Sequence, residues 1–98
     1  MIVIDTKDGQ PTNPVRFSRR YKAAHVLSDL LGPPGTRELI AFTDKIGLLQ
    51  RHIQEPGTPK EHLDVWGSKL DAALDAGAEE VGMRGVVEII QKKREADE

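Results

Sequence analysis

The stretch Ala23-Ala24-His25-Val26-Leu27-Ser28-Asp29, followed by Leu31-Gly32-Pro33-Pro34-Gly35 and Glu38-Leu39-Ile40-Ala41-Phe42-Thr43, decides the fold class. Its first part is short and apolar and stops at an aspartate, which reads as a strand over 24–28. The Gly-Pro-Pro-Gly punctuation ends that element. After it, Leu39, Phe42, Thr43 and Ile46 recur at helical spacing. Gly35 is the expected N-cap, with Glu38 near the positive end of the helix dipole. Gly47 suits the left-handed position past the helix end, with Leu48 as the apolar residue that follows.

The pattern repeats outward. Upstream, Ile2-Val3-Ile4 is a β-branched run ending at Asp5 and reads as a buried strand. Thr6 to Asn13 carries Asp8-Gly9 and Pro11 and reads as loop. Downstream, Leu49, Arg51 and Ile53 alternate with Gln50, His52 and Gln54, which predicts a half-exposed strand near 49–53. Thr58-Pro59-Lys60-Glu61 forms a capping box with proline at the first helical position, and predicts a separate turn near 59–62. Trp66, Leu70, Ala73, Leu74 and Gly77 predict a helix over about 67–76. Glu79 to Gly82 is a short strand. Met83, Val86, Val87 and Ile90 give a last amphipathic helix with the basic end Lys92-Lys93-Arg94. The expectation is a single α/β domain over 1–95, with about four mainly parallel strands, three helices and a frayed tail at 96–98.

With 98 residues the chain is one small domain with a small core. It has no cysteine, which excludes a disulfide framework and a cysteine zinc site. No apolar run approaches the ~20 residues of a membrane span, and the start lacks the basic region of a signal peptide. A cytoplasmic domain is expected. The net charge of -2 is unevenly spread. Gly9 to Ser28 has no acidic residue but holds Arg16, Arg19, Arg20 and Lys22, whereas Glu61 to Gly82 sets six acidic residues against Lys69.

Several segments together resemble one family, a domain-of-unknown-function family numbered four thousand and thirty-one, of small bacterial and phage proteins. They are Ala24-His25-Val26-Leu27-Ser28-Asp29, Glu38 to Phe42 running into Lys45-Ile46-Gly47-Leu48, Arg51-His52-Ile53-Gln54, and His62-Leu63-Asp64 leading to Ala76-Gly77-Ala78-Glu79-Glu80-Val81. The order of motifs covers nearly the whole chain. Leu63 stands where the family usually has Tyr, His52 where it has Trp, and Ala24 where Cys is common. The resemblance implies an α/β fold and no established activity. It also favours starting the later helix after the His-x-Asp motif.

Five residues point to chemistry: Asp5, His25, Asp29, His62 and Asp64. Asp5 and Asp29 each follow a predicted strand, and in open α/β sheets ligands bind beyond the carboxyl ends of strands. Parallel neighbouring strands would put the two carboxylates on one edge, within roughly 8 Å, where they could hold Mg²⁺ or Mn²⁺. His62 and Asp64, two apart, share a face if extended, as a ligand couple or as an imidazole oriented by a carboxylate. The structural alternative is that the aspartates cap turns and that His25 is a satisfied core histidine.

Arg16, Arg19 and Arg20, interleaved with Phe17 and Tyr21, are the expected rim for a small phosphorylated or nucleotide-like ligand. A pI near 5.9 disfavours a dedicated nucleic-acid binder. Metal-assisted phosphoester hydrolysis is one reading. The other is a non-catalytic interaction or adaptor protein, homo-oligomeric in one version, which an exposed Trp66 or Tyr21 beside a flat apolar patch would favour.

Overall fold

The computed structural model describes residues 1–12, 15–16 and 22–97. A mixed sheet is built around its longest strand, β5 (Lys22–Ser28), with β1 (Ile2–Ile4), β4 (Val15–Arg16) and β6 (Leu63–Val65) each pairing antiparallel with it. One pair is parallel, β1 with β7 (Glu79–Glu80). The expected mainly parallel sheet is therefore corrected to a mostly antiparallel one. The reason lies between β1 and β5. A parallel pair needs a crossover, usually a helix. The described part of this connection instead holds a ribbon of β2 (Thr6–Lys7) and β3 (Gln10–Pro11). Asp8 and Gly9 turn it at φ 52° and 79°, the left-handed pair of a type I′ hairpin.

Helix α1 (Pro33–Lys45) starts earlier than its predicted cap: Gly32, not Gly35, is the N-cap. Pro33 takes the first helical position, where its missing N–H costs nothing. Gly35 is instead a close-approach residue, since a Cβ there would lie 2.0 Å from the Leu30 carbonyl oxygen. The C-terminus matches expectation. Leu48 N–H donates to Thr43 O (2.9 Å) and Gly47 N–H to Asp44 O (3.3 Å), with Gly47 at φ 77°, a Schellman end.

The predicted strand near 49–53 is a 3-10 turn (Gln50–His52). Leu49 is exposed and only Ile53 is buried, so the apparent alternation has no sheet face behind it. β6 was not predicted as a strand. It carries Asp64, and His62 precedes it in an isolated bridge, so the His62-x-Asp64 pair is extended as read. Helix α2 (Ser68–Asp75) follows, and α3 (Gly82–Asp97) runs through Ala96 and Asp97, where a frayed tail was expected.

The sheet is covered on both faces. Ile4, Ala24, Val26, Leu63 and Val65 pack with Leu39 and Phe42 of α1, with its C-cap residue Ile46 and with Ala73 of α2. Burying residues such as Leu39 and Phe42 is worth roughly 1.5–3 kcal/mol each. On the opposite face Val3 and Leu27 pack with Val86 of α3. Side chains alternate along strands, so Asp5, His25, His62 and Asp64 belong to this second face. No described helix is long and apolar enough to cross a membrane.

Candidate metal centre

Strand register brings the site together. His25 on β5 is the direct partner of Asp64 on β6. One residue before β6, His62 bridges to Gln54: Gln54 N–H donates to His62 O (2.8 Å) and His62 N–H to Gln54 O (3.1 Å). Asp5 follows β1, and its N–H donates to His25 O (3.1 Å). Thr12 then ties this end of β1 to α3. Its hydroxyl donates to Asp5 O (2.8 Å) and accepts from Met83 N–H (2.6 Å), which holds the first turn of α3 over the cluster.

Each imidazole is fixed in one orientation. The buried Asp5 carboxylate takes His25 Nδ1 at 2.6 Å through Oδ2, and the His25 backbone N–H at 2.6 Å through Oδ1. A carboxylate on Nδ1 keeps the proton there, so neutral His25 presents a lone pair at Nε2. The hydrogen bond to Asp5 raises the His25 pKa above its ordinary value against the opposing effect of partial burial, and the charges of Asp5 and Asp64 add to the rise. His62 Nδ1 lies 2.6 Å from Lys60 O. A carbonyl only accepts, so Nδ1 carries the proton and Nε2 is again free. The two rings meet edge to face at 5.4 Å.

Asp64 completes the set. Its Oδ2 accepts from Gln54 Nε2 at 2.6 Å. Its Oδ1 is fully buried with no hydrogen-bond partner. That oxygen lies 3.7 Å from His25 Nε2 and 3.5 Å from His62 Nε2. When both imidazoles are neutral, three lone-pair acceptors face one another and no proton lies between them. Donor atoms bound to one ion at ~2.1 Å are about 3.0–3.4 Å apart in octahedral or tetrahedral geometry. The three atoms, all within 4.8 Å of one another, thus need little adjustment to share a divalent ion.

A cavity of about 280 Å³ opens onto His25 and His62 beneath α3, with Lys60 and Glu55 on its wall. A second cavity, of about 440 Å³, reaches Asp64 from the side of Trp66 and Lys69. Glu55 holds φ 49°, a left-handed conformation unusual for a non-glycine residue.

Of the five sequence-predicted residues, the fold collects four. Asp29 is not among them, and the Asp5–Asp29 metal pair is corrected. Because β1 and β5 run antiparallel, their carboxyl ends point opposite ways. Asp29 sits beside Met1, where it takes the N-terminal ammonium at 2.6 Å, and Glu38 shares that ammonium at 2.8 Å. Burial works against the ammonium's charge, but hydrogen bonds to Asp29 and Glu38 raise its pKa overall. Arg16 is placed in β4, while Arg19, Arg20 and Tyr21 lie outside the described residues. Gln54 and the Lys60 carbonyl were missed. Gln54 had a signal, since it closes the Arg51–Gln54 motif. A backbone carbonyl has none.

A family model described as "Protein of unknown function (DUF4031)" matches residues 11–93. No curated protein and no solved structure matches the chain.

Proposed function

The chain belongs to the DUF4031 family of unknown function, and from that premise we propose that it is a divalent-metal protein that binds and hydrolyses a small phosphorylated ligand in the cytoplasm. His25 Nε2, His62 Nε2 and Asp64 Oδ1 are the metal ligands. Asp5, the Lys60 carbonyl and Gln54 orient them from behind. The observation that carries this reading is Asp64 Oδ1, a buried carboxylate oxygen with no hydrogen bond, facing two imidazole nitrogens. A buried unpaired acceptor is costly, and a cation among the three atoms removes the cost.

Two imidazoles and one carboxylate suit Zn²⁺, Fe²⁺ or Mn²⁺ better than Mg²⁺, which prefers oxygen ligands and retained waters. Of the two ions expected from sequence, Mn²⁺ is thus the better fit. A divalent ion held by these three residues would supply Lewis-acid activation of water and of the phosphoryl oxygens. In the hydrolysis the water oxygen would bond to phosphorus as the ester P–O bond breaks. The departing alcohol oxygen takes the electron pair and the proton the water gave up, leaving alcohol and inorganic phosphate.

The test is metal titration of chelator-stripped protein, followed by hydrolysis of p-nitrophenyl phosphate. Stoichiometric binding of Zn²⁺ or Mn²⁺, with binding and hydrolysis both lost in His62→Ala, is expected. Metal binding that survives His62→Ala would refute the centre. Metal binding without hydrolysis would leave the centre and remove the chemistry.

The interaction-protein reading rests on Met83 and Val87 of α3, which are 44% and 57% exposed. Trp66 is half-buried and so does not supply the exposed aromatic that reading called for.

A further inference from the structure

The apolar residues of α3 lie on the wall of the same cavity as the two histidines. Leu27, Met83, Val86, Val87 and Ile90 form one side, and Lys60 stands at the polar side together with Glu55, while Asp5 lies behind His25. Met83 and Val87 are exposed, and they adjoin the place where, among the described residues, the sheet gathers metal-ligand atoms. Lys60 fixes His62 through its carbonyl, while its side chain is exposed and its ammonium makes no ion pair or hydrogen bond among the described residues. One ligand satisfies all three features: an anionic head on the metal and Lys60, carrying an apolar body against α3.

We infer that the ligand is a phosphate monoester of a compact apolar alcohol, aryl or alkyl, rather than of a sugar. This rests on the metal centre proposed above. The cavity of about 280 Å³ opens to solvent, so its wall, more than its size, selects the ligand. The wall limits chemistry. A ribosyl body would set hydroxyl groups against the methyl groups of Val86, Val87 and Ile90, which offer no hydrogen bond, so that only those turned to Glu55 or Lys60 would find a partner. An aryl ring covers those methyl groups and removes their surface from water. The phosphoryl group of the expected ligand is kept, and the nucleotide-like body is replaced by an apolar one.

The experiment measures binding of phenyl phosphate, ribose 5-phosphate and inorganic phosphate to the Zn²⁺-loaded protein by calorimetry, under conditions where turnover is blocked by low temperature. Phenyl phosphate is expected to bind at least tenfold more tightly than either of the others. In the near-isosteric double variant Met83→Gln/Val87→Thr that advantage falls to threefold or less, with Zn²⁺ and inorganic phosphate affinities unchanged. Lys60→Gln weakens all three anions alike. Ribose 5-phosphate binding as tightly as phenyl phosphate overturns the inference, as does an aryl preference that survives the double variant. Zn²⁺ titration separates the two levels: failure to bind Zn²⁺ sinks the metal centre and this inference with it, whereas Zn²⁺ binding without aryl preference sinks this inference alone.

Discussion

Asp5 holds His25 twice, through the ring at Nδ1 and through the backbone N–H, both at 2.6 Å. One buried carboxylate thus sets both the position of β5 beside the end of β1 and the tautomer of the imidazole. An amide cannot do both. In Asp5→Asn the side-chain oxygen still accepts the backbone N–H, but the NH₂ group donates to Nδ1 and moves the ring proton to Nε2. Metal affinity should fall 10–100-fold, the usual range for a partner behind a ligand. Isothermal titration with Zn²⁺ checks this, and an unchanged affinity would contradict it.

Asp64→Asn separates folding from metal binding. The variant replaces an unpaired buried oxygen with an amide whose NH₂ can donate to an imidazole Nε2 lone pair. The metal-free protein should be as stable as the parent or more stable, by up to about 1 kcal/mol. The stabilisation by added metal should vanish. Urea denaturation with and without Zn²⁺ measures both, and a large loss in the metal-free variant would show that Oδ1 already has a partner.

The His25 pKa gives a pH dependence of known sign. Its folded-state pKa is raised, so the charged His25–Asp5 pair stabilises the metal-free fold fully below the unfolded value of about 6.5. That contribution is lost as pH rises through the raised folded value. Metal binding requires neutral imidazole and runs the other way. The melting-temperature difference between parent and His25→Gln should therefore shrink with rising pH in chelator and grow with rising pH in Zn²⁺. Parallel trends in the two conditions would rule out a shared role for Nε2.

Glu55 stores backbone strain at the cavity edge, at φ 49°. Glu55→Gly should raise stability by about 0.5–1 kcal/mol, the relief of a left-handed non-glycine residue less the added chain entropy of glycine. Chemical denaturation tests it, and a loss of stability would mean that the Glu55 side chain contributes more than its conformation costs.

The parts of the fold legible in the sequence are those set by local pattern. Ile2-Val3-Ile4, the apolar run before Asp29, and the α1 spacing ended by Gly47-Leu48 all needed only neighbours a few residues away. Strand direction depends on the connection, and the end points of the route from Asp5 to Lys22 do not show the β2–β3 ribbon that its described part holds in place of a crossover helix. Expecting a parallel pair moved Asp29 into the site. The pairing of His25 with Asp64 spans 39 positions and is a matter of register, which no local signal carries. The His62-x-Asp64 pair was legible because period-two geometry is local. Residues 50–52 were misread because Leu49 and Ile53 alone do not separate a strand from a turn.

The account stands on three atoms sharing one ion. Crystals of the protein soaked in Zn²⁺, with data collected on both sides of the zinc absorption edge, locate that ion directly. A single anomalous peak is predicted about 2.0–2.2 Å from His25 Nε2, His62 Nε2 and Asp64 Oδ1, with Asp5 remaining on His25 Nδ1. A peak at Asp29 and Glu38, a peak on His52, or no peak between His25, His62 and Asp64 at saturating metal would contradict it.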